Sequence, residues 1–213
     1  AQRFLSYDLR KNNQSQFSRT FSMLINIFLI ISFAGTIIME IIGPILINNY
    51  LVIPDGRLTA AHWIFQISVV SFIVSTMVIP FTSAVIAKEN MDVFAYVSLL
   101  DAGLKLAVVY LLYIAPFDKL ITLVFLTLLA SIISNSIYVI YCRIKISGCR
   151  YVKSWDRNLL HRLSSFMGWN LFGSATSVMN VQGQAILLNM FFGPVINAAK
   201  AIADTVHSLV QSF

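Results

Sequence analysis

The run FSMLINIFLIISFAGTIIMEIIGPILI, residues 21–47, contains a single charged side chain, Glu40. A membrane helix needs about 20 mostly apolar residues to cross the hydrocarbon, and this run exceeds that length. Five further blocks have the same character: Trp63–Ala87, Val93–Ala115, Leu120–Tyr141, Ser164–Phe192 and Val195–Phe213. The breaks between them carry turn chemistry: Asn48-Asn49 through Pro54-Asp55-Gly56, then Lys88-Glu89-Asn90, Pro116-Phe117-Asp118-Lys119, the basic stretch Arg143–Arg162, and Gly193-Pro194. The expected fold is all-α, a polytopic transmembrane bundle of six helices, antiparallel between neighbours because the connections are short.

Composition agrees with that reading. Apolar residues make up 58% of the chain, charged residues 11%, and mean hydropathy is +0.78. Soluble domains carry about a quarter charged residues. The net charge of +6 points to acidic lipid headgroups rather than nucleic acid, since the basic residues lie in short segments between apolar blocks. Cys142 and Cys149 match neither a disulfide framework nor a usual zinc spacing and are expected to be reduced. The chain opens on Ala1 with a polar segment lacking a signal-peptide core, and its helical pattern is still open at Phe213. It reads as an internal portion of a longer, transporter-sized protein.

Lys and Arg set the expected orientation. Eleven lie on one side, in Arg3–Arg19, at Lys88 and in Arg143–Arg162, against two, Arg57 and Lys119, on the other. The excess marks the cytoplasmic side, so residues 1–20 and 143–162 are expected inside and the Asn48–His62 loop outside. Trp63, Tyr50 and Tyr113 suit an outer aromatic belt, and Tyr141 and Trp155 an inner one. The basic stretch is the longest break. Blocks before it are rich in Ile, Leu, Val and Phe, and blocks after it in Gly, Ala, Ser, Asn and Gln.

Polar groups within membrane helices are costly and concentrate where function lies. Asn197, Lys200, Asp204, His207 and Gln211 recur at spacings of three and four, forming one stripe on the last helix. Such a stripe lines a water-filled interior, or Lys200 and Asp204 neutralise each other in a packed core. On the preceding helix Asn170, Ser174, Ser177 and Gln184 share a face beside Gly168, Gly173 and Gly183, which suits interhelical packing as well as substrate contact. Asp101 and Lys105 stand four apart in mid-block, either as a static pair or as a proton-sensitive element. Glu40 near an outer end reads as an interfacial carboxylate, and Pro44 and Pro80 as candidate kinks. His62, His161 and His207 are dispersed and form no ligand cluster, and no P-loop, Rossmann fingerprint or nucleophile elbow is present. No cofactor and no enzymatic activity are expected, and transport would draw on an ion gradient, the membrane potential or substrate flux.

Several stretches resemble one family. Gln2–Tyr7, Phe94–Ser98 and Phe117–Leu120 are similar to polysaccharide-biosynthesis membrane proteins of Bacteroides-like bacteria. The most specific parts are Gly168–Gly173, Asn189–Pro194 and Asn197–Lys200. These resemble Wzx-type oligosaccharide flippases of the MATE-like transporter superfamily, over essentially the whole chain. The resemblance implies two lobes of six helices that rock for alternating access. Residues 21–142 would be four helices of the N-terminal lobe, 143–162 the cytoplasmic linker and 163–213 the first two helices of the C-terminal lobe. It further implies an inner-membrane protein that flips undecaprenyl-diphosphate-linked glycan for O-antigen or capsular polysaccharide, with H⁺ or Na⁺ as a coupling ion. By position, Lys200 takes the diphosphate-holding role, as a point charge where relatives are expected to carry Arg. Lys105 would assist, while Asn170, Asn197, Gln184 and Gln211 would meet the sugars.

Two other functions fit the residues less fully. A multidrug or cation antiporter of the same superfamily would couple through Asp101, Asp204 or Glu40. A membrane ligase or polymerase would need reactive groups on large external loops, and these loops offer only Asp55, Arg57, His62, Asp118 and Lys119.

Overall fold

A computed structural model describes residues 2–10, 14–54, 56–114, 118–146, 148–152 and 157–211. The described residues form seven α-helices and no strand: α1 (Gln2–Arg10), α2 (Gln14–Asn49), α3 (Leu58–Ala87), α4 (Met91–Ile114), α5 (Lys119–Lys145), α6 (Arg157–Phe192) and α7 (Pro194–Gln211). The chain is an all-α bundle. Four helices, α2 to α5, are long and apolar enough to cross a membrane. That makes it a multi-pass membrane protein.

The expectation of six spans is met in full only by those four. α6 and α7 form where the blocks predicted helices, but they are more polar. α6 spreads Asn, Gln, Ser and Gly along 36 residues, and α7 places Lys200, Asp204 and His207 within 18. The other difference is at the amino end, where the polar segment contains α1. Its Phe4, Leu5, Asp8 and Leu9 share one face by helical spacing. That face packs on α2 and α3, with Leu5 fully buried.

α3 is the hub of the bundle, packing against α1, α2, α4 and α5, while α4 also lies along α5. α2 and α3 approach closely because α2 presents glycines to phenylalanines of α3. A Cβ added at Gly35 would come within 2.7 Å of the Phe72 ring, and one at Gly43 would overlap Phe65. Small residues at such crossings let helix backbones approach and gain dispersion contact where no hydrophobic drive exists in lipid. Pro44 and Pro80 both lie inside continuous helices, α2 and α3.

Buried side chains gather at one end of the bundle. Phe17, Phe21 and Leu24 of α2, Ala84 and Val85 of α3, Cys142 of α5 and Leu163 of α6 form one cluster there. The basic stretch after α5 joins this cluster rather than only linking two halves, since Ile146 and Cys149 are buried in it. Hydrogen bonds to α2 hold that loop: Val152 N–H donates to Ser22 Oγ at 2.8 Å, and Tyr151 Oη to Asn26 Oδ1 at 3.1 Å. Just before it, Cys142 Sγ of α5 donates to the Phe81 carbonyl of α3 at 3.4 Å. Gly148 is required where the loop crosses Phe17, because a Cβ there would overlap the ring.

The opposite end is tied by polar contacts. Arg57 pairs with Asp118, which also caps α5 by accepting from Leu120 N–H at 3.0 Å. Val52 N–H donates to Asn189 Oδ1 at 3.1 Å, and His62 meets Asn48 at 3.1 Å. The two cations set apart by the charge count, Arg57 and Lys119, therefore share one end with the carboxyl end of α6. Lys88, Ile146 and residues 148–152 lie at the other. Trp63 and Tyr113 are strongly exposed and Tyr141 is half-buried, while Trp155 lies outside the described residues.

Candidate functional site

The α7 stripe forms as the spacing predicts, but its charges are joined. Lys200 Nζ donates to Asp204 Oδ2 at 2.7 Å, with the lysine side chain 25% exposed and the carboxylate 57% exposed. This is the i,i+4 pair that one helical turn brings together. The pair is formed, with its carboxylate the more exposed partner. Asn197 is half-buried and His207 exposed, and the Gln211 side chain lies outside the described residues. On α6, exposed Gln184 donates to Asn180 Oδ1 at 2.8 Å, and the Asn170 side chain lies outside the described residues. Among the described elements α7 packs only on α6, and α6 reaches the rest of the bundle through α2, through the Phe4–Phe166 ring contact with α1 and through the Val52–Asn189 hydrogen bond.

Asp101 and Lys105 occupy a different place, on α4 where it meets α5. Lys105 Nζ lies 2.7 Å from Asp101 Oδ2, and Ser134 of α5 donates to Asp101 Oδ1 at 3.1 Å. Ser134 is buried, so the carboxylate has a hydrogen bond that crosses between helices as well as its in-helix partner. Since α4 packs on α3 and α5 and α7 on α6 alone, the described candidate side chains fall into two groups, one on α4 and one on α6 and α7. Glu40, on α2, accepts from Gln66 Nε2 of α3 at 3.2 Å.

A third polar region was not singled out from sequence. A cleft of about 1530 Å³ opens at the clustered end between α1, the α3–α4 turn and α6. Arg3, Tyr7, Lys88, His161, Phe166 and Trp169 are among its lining residues. Arg3 lies 5.8 Å from the Phe166 ring centre, in cation–π range, and Phe4 meets the same ring edge-on at 5.5 Å. Asp8 borders the cleft, but its carboxylate is buried and accepts from Thr20 Oγ1 at 2.6 Å. The signal available in sequence was the amphipathic spacing of residues 2–10, whose buried face includes an acid that needs a donor.

The thiol chemistry is quiet. Cys142 and Cys149 are free and buried. Hydrogen bonding to Cys142, reinforced by burial, pushes the Cys149 thiol far above its ordinary value, so it stays protonated. No group of three or more His, Cys, Asp or Glu placed to hold a metal ion occurs among the described residues. Compared with family models, curated proteins and solved structures, the chain matches none of them.

Proposed function

We propose that this chain is part of a non-enzymatic transporter that flips a lipid-linked oligosaccharide, carried on undecaprenyl diphosphate, across the bacterial inner membrane. One observation carries the reading: α2 to α5 each hold a long, strongly apolar window, whereas α7 segregates its polar residues to one side. A helix apolar on every face belongs in lipid or a core, and a striped one borders water. The stripe would border a path for a glycan between lobes, and the exposed amides of α6, with half-buried Asn197 of α7, offer the hydrogen bonding that sugars need. The resemblance of Gly168–Gly173 and Asn189–Lys200 to Wzx-type flippases supplies the substrate class and the two-lobed plan. In this reading residues 1–20 and 143–162 face the cytoplasm.

The Lys200–Asp204 contact sharpens the role of the lysine. A diphosphate has to compete with Asp204 for the ammonium, so Lys200 acts as a cation released by substrate. Lys200→Ala in the full-length protein should lower transfer of fluorescent lipid-linked glycan across proteoliposomes about tenfold, the scale of one charged hydrogen bond. Full transfer by that variant removes the lysine from the mechanism, and no transfer by the wild type removes the flippase reading.

A cation antiporter is favoured by a different observation, the Asp101 carboxylate held by Lys105 and Ser134 inside an apolar helix pair. Drug export abolished by Asp101→Asn, with glycan export intact, would select it.

A further inference from the structure

The cleft at the clustered end has three properties together. Its cations are uncommitted: among the described residues neither Arg3 nor Lys88 belongs to an ion pair. Aromatic rings stand beside them, with Phe166 beneath Arg3 and Trp169 83% exposed on α6. And it lies at the end of the bundle where Lys and Arg accumulate. We propose that this cleft holds the headgroup of an anionic phospholipid from the adjacent leaflet, apart from any cargo carried along α7.

Charge and position both favour that occupant. Basic pockets between membrane helices on the cytoplasmic side take anionic headgroups. Exposed tryptophan and tyrosine sit at the headgroup level of a bilayer, where their rings meet glycerol and acyl carbons. Arg3 presents a planar set of donors suited to phosphate oxygens, and Lys88 adds a point charge from the turn that follows α3. The acids on the lining do not cancel these. Asp8 faces inward to Thr20, and Glu89 is exposed at the rim, where salt and water screen it. His161, on the lining, adds a ring nitrogen that can hydrogen-bond a phosphate oxygen. The cleft also joins three elements, since α1 reaches α6 through Phe4 and Phe166. A bound headgroup would therefore clamp α1 onto α6.

The test is lipid retention by the purified full chain, measured by native mass spectrometry from mixed phosphatidylglycerol and phosphatidylcholine. Phosphatidylglycerol should be retained about tenfold more strongly, the scale of one to two cationic contacts at a membrane surface. Arg3→Glu with Lys88→Glu should abolish the preference, and Arg3→Lys with Lys88→Arg should keep it. Lys119→Ala, at the opposite end, should change nothing. Melting in lipid-free detergent checks that the double variant is folded; if it is not, Arg3→Gln with Lys88→Gln takes its place and should also lose the preference. Equal retention of the two lipids overturns the proposal, as does an unchanged preference in the folded double variant. Displacement of phosphatidylglycerol by millimolar inorganic phosphate would mean a free-anion site, and displacement by trace undecaprenyl diphosphate a cargo site. Either result overturns it too.

Discussion

At the scale of single residues, packing between α2 and α3 is the most exacting feature. Alanine ordinarily gains about 1 kcal/mol over glycine inside a helix. At Gly43 that gain is outweighed, because the new methyl overlaps Phe65, and overpacking costs about 1–3 kcal/mol. Gly43→Ala should therefore lower the melting temperature in detergent. In a Phe65→Ala background the same change should raise it, since the obstruction is gone; equal effects in both backgrounds would contradict the contact. The cysteines give a second expectation. A thiol pushed up in pKa holds little thiolate, and the thiolate is the reactive form. Cys149 for that reason, and Cys142 because it is buried, should resist maleimide in the folded protein at pH 7–8 and react fully after denaturation. For Cys149 reactivity should stay low as pH rises through the ordinary thiol range, where an exposed cysteine would gain tenfold per pH unit. Gly43 and Gly148 stand in the sequence as plain glycines; their partners, Phe65 and Phe17, are known only once the helices and the loop are placed.

Among the elements, α2 to α5 were legible because length and apolarity alone specify a membrane helix. α1 was not, since nine residues, QRFLSYDLR, are too short and too polar in composition to stand out. Its stability comes from tertiary contact, as for most short helices. Buried Leu5 and the Asp8–Thr20 bond supply that contact. α5 begins where a single acid serves two purposes, capping its first turn and pairing with Arg57. Loss of a capping acid costs about 1 kcal/mol, and an exposed ion pair adds less than that. Asp118→Ala should accordingly destabilise by about 1 kcal/mol, whereas Arg57→Ala should cost only a few tenths, as read from denaturant unfolding in mixed micelles. Equal destabilisation by the two variants would mean that the ion pair, and not the cap, is what Asp118 contributes.

For the whole molecule, the antiparallel course puts Tyr50 and Lys119 at one end and Arg143 and Lys145 at the other. The lysine and arginine excess would place the second group in the cytoplasm. Because the native cysteines are buried, they need not be removed for a labelling test. A cysteine replacing Tyr50 or Lys119 should react with an impermeant maleimide in intact cells. One replacing Arg143 or Lys145 should react only after the cells are opened. The reverse pattern would invert the topology. The same view explains why the described candidate side chains separate into two groups. α4 is bound into the bundle around α3, whereas α6, which carries α7, meets that bundle at α2 and α1.

The sequence by itself determined the class of protein, four of the six spans expected from it, the alternation of their ends and the polar stripe of α7. Each of these is local, resting on run length, charge count or helical period. Only the tertiary structure decided that Lys200 and Asp204 are joined, that Asp101 is shared with Ser134 of another helix, that the basic stretch contributes to the core, and that α1 and α6 enclose a cleft. Those outcomes depend on rotamers and on contacts between residues distant in the chain. Periodicity specifies which face a residue occupies, but not what meets it there.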